Sequence, residues 1–263
     1  MTGLYRNLVR PFLFSQESES IHDLTMSGLA FCSRRQIFTD AIASFCGASD
    51  LPMEAFGLKF PNPVGLAAGM DKFAAAVPAW EAMGFGFTEL GGVTRLEQPG
   101  NPKPRMFRVP RDRALINRMG FNNAGAESMA TTLAGWKENG RWPTHPVGVN
   151  LGKSKVTPLE EAAEDYVGSF KLLRPYADFF VVNVSSPNTP DLRKLQDQSS
   201  LDAILEALQT ENHSGGGVAR PLLVKIAPDL MFGEIDEILE LVDSREIAGI
   251  VATNTTIARP DTD

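Results

Sequence analysis

The stretch from Phe179 to Pro190, FFVVNVSSPNTP, decides how this chain folds. Its first four residues, Phe179 to Val182, are apolar without alternation, which suits a strand buried on both faces of a parallel sheet. The run then turns polar at Asn183, Ser185, Ser186 and Asn188, and Pro187 and Pro190 stop the strand from continuing. In parallel α/β folds the C-terminal strand ends are where chemistry is placed. A loop of ordinary turn formers would also use Ser, Asn and Pro, so the surrounding sequence has to decide.

The same change from apolar to polar recurs along the chain. Val64 to Gly69 (VGLAAG) reads as a short strand running into Met70-Asp71-Lys72, with a helix starting near Pro78. Phe87 to Val93 (FTELGGV) is the next strand. Residues 100–121 are too long and too rich in Pro and Arg for a tight connection, and long loops in compact domains tend to be functional. A helix over 126–138 leads to the strand Pro146 to Gly152, which ends in Asn150. Thr157-Pro158-Leu159-Glu160 has capping-box spacing, opening a helix that buries Tyr166, Val167, Phe170 and Leu173 and stops before Pro175. Leu201, Ile204, Leu205 and Leu208 form one helical stripe, and Ile235, Ile238, Leu239 and Val242 another. Between them lies the strand Leu222 to Ile226 with Lys225 inside it, and Gly249 to Thr255 is the last strand. About six β-then-α units with polar strand ends favour a (β/α)8 TIM barrel over a doubly wound sheet, because a barrel brings every strand C-terminus to one mouth. A closed barrel takes eight units, so the given residues are expected to be part of a longer protein.

Residues 1–46 read as a separate helical module in front of a barrel domain over 47–263. Leu4, Leu8, Phe12 and Phe14 mix with Arg6 and Arg10, and Pro11 is expected to interrupt any helix. Ser20, three residues before Asp23, has the spacing of a capping box. Phe38, Ala41, Ile42 and Phe45 lie at helical spacing. Two readings stand: helices packed on the main domain, or an amphipathic pair that leaves apolar surface for lipid or a hydrophobic ligand.

The 263 residues carry 25 Lys plus Arg against 32 Asp plus Glu, and this net charge of −7 argues against a nucleic-acid partner. Cys32 and Cys46 have neither metal-binding spacing nor nearby histidines, and the composition fits a reducing cytosol. His22, His145 and His213 are scattered and suggest no site. No run is long enough to span a bilayer, and the start does not look like a signal peptide.

At the strand ends stand Lys72, Asn150, Asn183, Ser186, Asn188, Lys225, Thr253, Asn254 and Thr255, joined by Asn117. Neither a metal-ligand cluster nor a carboxylate pair accompanies them, so metal-assisted hydrolysis and glycoside chemistry lack their parts. Amides offer donors and acceptors that match a planar imide, and lysines supply charge for an anion. A serine takes up a proton only where the substrate makes that proton acidic. Lys225 in LLVKI is costly as an isolated buried charge, and a Schiff-base lyase using it is one alternative function. A non-catalytic incomplete barrel is another. Gly215-Gly216-Gly217 reads as a flexible loop, since no helix N-terminus follows it.

The motifs LAAGMDK (66–72), GNPKPRMFR (100–108), INRMGFNN (116–123), GVNLGKSK (148–155), VNVSSPNTP (182–190), VKIAPDL (224–230) and ATNTT (252–256) closely resemble the membrane-associated, quinone-dependent class of dihydroorotate dehydrogenases, in order along the chain. The resemblance implies an FMN-binding barrel that oxidises dihydroorotate to orotate in pyrimidine biosynthesis, with a quinone as final acceptor. It places FMN against Ala68, Gly69, Met70, Asp71, Lys72, Gly92, Asn150, Asn183, Lys225 and Thr253. The substrate would lie against Lys72, Asn117, Arg118, Met119, Gly120, Phe121, Asn183, Asn188, Asn254 and Thr255. Ser186 would be the base that takes the C5 proton while hydride passes from C6 to the flavin. Serine there, where the soluble class carries cysteine, and the N-terminal helices both imply a quinone-using enzyme bound peripherally at the cytoplasmic side of a membrane. Gly92 departs from the family, which usually carries Thr or Ser there. The family's two further strands, with the loops that bind the FMN phosphate, are expected beyond Asp263.

Overall fold

The computed structural model describes residues 2–188, 192–214 and 216–259. Thr189, Pro190, Gly215 and residues 260–263, which carried part of the sequence reading, lie outside them. Six parallel strands form the sheet, in the order β3 (Gly65–Leu66), β4 (Phe87–Val93), β7 (Val147–Leu151), β8 (Phe179–Asn183), β9 (Leu222–Ile226) and β10 (Gly249–Ala252). Each strand pairs with the next one in the series, as expected of a partial TIM barrel. The helices α5 (Val77–Ala82), α6 (Gly125–Glu138), α7 (Ala162–Leu173), α8 (Gln198–Ser214) and α9 (Phe232–Ser244) connect them.

The alternation of β8 explains its unbroken hydrophobicity. Phe180 and Val182 face the helices, in the cluster that includes Tyr166, Phe170 and Leu205. Phe179 and Val181 face the barrel interior with Leu223. Asn183 is the next inward residue, so the interior changes from apolar to polar at the strand end. Below, the interior is floored by aromatic rings. A hairpin the sequence did not suggest, β1 (Met53–Ala55) and β2 (Leu58–Phe60), turns through Phe56 and Gly57, both at positive φ. It brings Phe56 to 5.9 Å from Phe179 and Phe60 to 5.6 Å from Phe87. Gly148 is required there, because a Cβ would stand 2.1 Å from the Phe179 ring.

Several local expectations are corrected. The first strand is only Gly65–Leu66, since Gly69 takes φ +110° and the Asp71 carboxylate folds the chain over by accepting from Ala75 N, Ala76 N and Trp80 Nε1. Residues 100–121 are not a plain loop, for they contain an antiparallel hairpin of β5 (Met106–Val109) and β6 (Ala114–Asn117). The Thr157 box does not form. Its hydroxyl donates to Asp165 Oδ1 at 2.7 Å, and a 3-10 turn, Leu159–Glu161, precedes α7. On α9 the buried face runs through Ile238 and Leu241, while Leu239 is exposed. The strands at Phe87, Val147, Phe179 and Leu222 stand where the sequence places them.

The N-terminal module is built of helices joined by short turns. α1 (Thr2–Leu4), a π-helical turn at Tyr5–Val9 and α2 (Arg10–Phe14) follow without a break, and the wider turn accommodates Pro11, which has no N–H to give. α3 (Ser18–Ser33) starts before the expected cap: the Glu17 carboxylate accepts from Glu19 N and Ser20 N. In α4 (Gln36–Cys46) the expected apolar stripe faces outward at Phe38 and Phe45, and Thr39 is the buried residue. The module packs on the main domain along one face and leaves apolar side chains exposed on another. Met26, Leu29 and Ile42 pack against the cluster of Ala76, Ala79 and Trp80, while Leu4, Leu8, Phe12, Phe31, Ile37 and Phe45 are exposed.

Candidate active site

A cleft of about 320 Å³ opens at the C-terminal ends of the strands. It is lined by Ala68, Gly69, Lys72, Gly92, Asn117, Met119, Gly120, Phe121, Asn150, Asn183, Ser186, Asn188, Lys225, Thr253, Asn254 and Thr255. All of these are residues singled out from the sequence; His22, Met106 and Leu115 complete the lining. Met70, Asp71 and Arg118 do not line it. Met70 packs beside Trp80. The Asp71 carboxylate supports the turn beneath Lys72, and the Arg118 guanidinium donates to Pro104 O and lies over Phe107.

A relay of amides crosses the floor of the cleft. Asn150 Nδ2 donates to Glu89 Oε1 at 2.7 Å, and Asn183 Nδ2 donates to Asn150 Oδ1 at 2.9 Å. Asn183 Oδ1 accepts from Ser185 Oγ and from Asn254 Nδ2. The Tyr166 hydroxyl, fully buried beneath β8, donates to Asn183 O. Burial pushes that phenol far above its ordinary value, so it stays a donor.

Facing this relay, Asn188 Nδ2 donates to Asn117 Oδ1 at 3.0 Å, joining the β8 loop to the hairpin. Ser186, 8% exposed, receives the Asn188 N–H on its Oγ. Lys72 Nζ donates to Asn122 Oδ1. Burial, and then the nearby charge of Arg105, pull the Lys72 ammonium down to about 8. Lys225 lines the cleft, and among the described residues no side chain hydrogen-bonds or ion-pairs with its Nζ.

Gly92 explains how the chain manages without a side chain there. The Phe121 ring fills the space, and a Cβ on Gly92 would stand 2.3 Å from it. Phe121 is fixed in the left-handed region at φ +51°, and Asn123 holds the turn by accepting from Thr94 N and Gly125 N and donating to Phe121 O.

Sequence reasoning missed several participants. His22 of α3 lines the cleft with Met106 and Leu115 of the hairpin, so one histidine judged bland stands at the site. Burial lowers the pKa of its imidazole. Glu89 was passed over as one residue in an apolar strand, although a carboxylate there needs a partner. Arg193 donates to Ser185 O, Thr255 O and Asp229 Oδ2, tying the β8 and β10 loops together. Thr256, followed by Ile257 N and Arg193, keeps Asp229 below the usual carboxylate range. Among the described residues no group of three or more His, Cys, Asp or Glu could hold a metal ion.

Comparison with known proteins agrees with this arrangement. Residues 50–263 match the family model described as dihydroorotate dehydrogenase. The proteins named dihydroorotate dehydrogenase (quinone) from Trichormus variabilis and Gloeobacter violaceus are each 52% identical over 97% of this chain, which covers 69% and 70% of their lengths. The one from Chloroflexus aurantiacus is 51% identical over 97% of this chain and 72% of its own. A crystal structure of the Eimeria tenella enzyme in complex with ferulenol superposes with a TM-score of 0.83 at 36% identity, covering 93% of this chain and 68% of that one. A family model matching most of the chain, relatives half identical over nearly all of it, and a shared half-barrel with its helical module place the protein in the dihydroorotate dehydrogenase family, in its quinone-dependent branch.

Proposed function

We propose that the cleft binds dihydroorotate beside FMN and that Ser186 takes the substrate's C5 proton, the reducing equivalents passing to a quinone in the de novo synthesis of pyrimidines. The observation that carries this reading is the setting of Ser186. It is a nearly buried hydroxyl that accepts from Asn188 N, in a cleft lined also by the amides of Asn117, Asn188, Asn183 and Asn254 and by Lys72. A planar ring with alternating C=O and N–H groups and one carboxylate finds acceptors, donors and a cation there.

The residues present also suit the ring of a flavin. Asn150 and Asn183 offer amide edges, Lys225 lines the cleft, and the glycine at 69 leaves the wall open. Ala68, Gly69, Lys72, Gly92, Asn150, Asn183, Lys225 and Thr253 would hold it, with Met70 and Asp71 shaping the turn beneath. When bound, FMN supplies the hydride acceptor. The protein's part is to orient the substrate with the Asn set, to neutralise its carboxylate with Lys72, and to hold Ser186 Oγ at the C5 proton in a site with little water.

The exposed apolar residues of α1 to α4, interspersed with Arg6, Arg10, Arg34 and Arg35, support peripheral contact with a membrane surface and a route for quinone. No helix of the described residues is long and apolar enough to cross a membrane. The test is Ser186→Ala in the flavin-loaded protein. Anaerobic mixing with dihydroorotate is expected to show flavin reduction slowed by about 10²-fold or more, with FMN still bound. An unchanged rate would remove Ser186 from its role.

A further inference from the structure

We propose that Glu89 is a positioning residue: from beneath the cleft it sets the direction of every hydrogen bond in the relay Asn150, Asn183 and Asn254. Glu89 is an inward residue of β4, 5% exposed, and Asn150 Nδ2 at 2.7 Å is the partner of its Oε1. Burying a carboxylate is unfavourable unless strong donors meet it. An amide beside an apolar residue would satisfy itself elsewhere, so the presence of an acid here calls for a reason.

The reason lies in what a carboxylate cannot do. Ionised, it only accepts, whereas an Asn amide can turn either edge to a neutral neighbour. Facing Glu89, Asn150 has to present Nδ2, which leaves Oδ1 for Asn183. Asn183 must then present its own Nδ2, which leaves Oδ1 for the Ser185 hydroxyl and Asn254 Nδ2. Asn254 is thereby turned so that its Oδ1 accepts from Thr255 N. From Glu89 Oε1 the relay orients three amides at three strand ends, and all three residues line the cleft.

The inference rests on the proposed function only for the ligands in its second test. The first needs none. In protein labelled with [15N]asparagine, the side-chain amide resonance of Asn183, identified by its loss in Asn183→Asp, is expected to shift in Glu89→Gln although Asn183 is hydrogen-bonded to Asn150 and not to Glu89. An Asn183 resonance that stays in place overturns the proposal. The second test compares melting with binding. Glu89→Gln removes the buried charge and frees the amides to turn, so FMN and orotate are expected to bind about tenfold more weakly while the melting temperature is unchanged or higher. Unchanged affinities, or melting and binding that fall together, overturn it as well. Should Glu89→Gln fail to fold, Glu89→Asp keeps an acceptor-only group at a displaced position. It is expected to shift the Asn150 and Asn183 resonances together, and a shift at Asn150 alone counts against the relay. If the relay behaves as stated but neither FMN nor orotate binds even the wild-type protein, the functional reading fails while the positioning role stands.

Discussion

Replacing Glu19 by Gln should loosen the N-terminal module from the barrel at one end. Glu19 of α3 is 3% exposed, and Arg105, just before the β5–β6 hairpin, grips it with Nε at 3.1 Å from Oε2 and Nη2 at 2.7 Å from Oε1. The Lys103 ammonium, 3.1 Å away, is largely in solvent and adds little. Removing one partner of a buried pair costs about 3–5 kcal/mol. Arg105 keeps Pro99 O and Asn101 O as acceptors at 2.7 and 2.9 Å, so the lower end, about 3 kcal/mol, is expected. The other end of α3 stays tied, because Ser33 Oγ accepts from Ala79 N and Ser33 O from Arg141. The loss should therefore be local. Hydrogen exchange of amides in the first half of α3 should accelerate by about 10²-fold, since each 1.4 kcal/mol is a factor of ten, while amides near Ser33 and in β7 and β8 keep their protection. The hydrogen bonds from Arg105 hold the Glu19 carboxyl below the ordinary glutamate value. The stabilisation is thus present in full above that value and lost as pH falls through the depressed one, so acid should reproduce the mutant's exchange pattern in the wild type. Exchange that rises equally in helix and strands, or not at all, would refute the reasoning.

Lys72, pulled down to about 8, should make orotate binding weaken by roughly tenfold per pH unit above that value, as the ammonium loses its charge. Lys72→Met should bind weakly and without this dependence, which fluorescence titration across pH would show. Because folding disfavours the charged form, the ligand-free protein should gain stability as pH rises from about 8 toward the ordinary lysine value. Gly92→Ser should lower thermal stability by about 1–3 kcal/mol, because its Cβ meets the Phe121 ring, and Gly92→Ser combined with Phe121→Leu should recover most of the loss. Deleting residues 1–46 should impair quinone reduction more than flavin reduction by dihydroorotate. It also uncovers the cluster of Ala76, Ala79 and Trp80, against which Met26, Leu29 and Ile42 pack, so acrylamide should quench indole fluorescence more strongly in the shortened protein than in the full chain.

What could be read from the sequence followed the strength of the local signal. FFVVN and LLVKI are short apolar runs with a polar end, and both are strands that deliver Asn183 and Lys225 to the cleft. The β1–β2 hairpin escaped notice because it turns through Phe56-Gly57 rather than an Asn-Gly or Asp-Gly pair. The capping boxes at Ser20 and Thr157 failed because a nearby carboxylate, Glu17 or Asp165, took the hydroxyl as a donor. Glu89, His22 and Arg193 carried no motif. Their parts in the site arise from inward strand geometry, from the seat of α3 on the hairpin and from the closeness of two loops, none of which spacing along the chain records. A glutamate in an otherwise apolar, inward-facing strand is still a signal, since its burial has to be answered by a donor.

The aromatic floor bears on how the chain reaches its fold. Phe87 and Phe179, whose rings stand 6.2 Å apart, meet only after α6 and the whole β7–α7 unit have been laid down, and Phe60 and Phe56 close against them from still earlier in the chain. Synthesis at about 5–20 residues per second leaves Phe87 without its partner for roughly 5–20 s. Over that interval the β1–β2 hairpin is its available apolar cover, through Phe60. The two short strands at the base then act as an early companion to β4, keeping an oily edge out of solvent until β8 arrives to complete the seal.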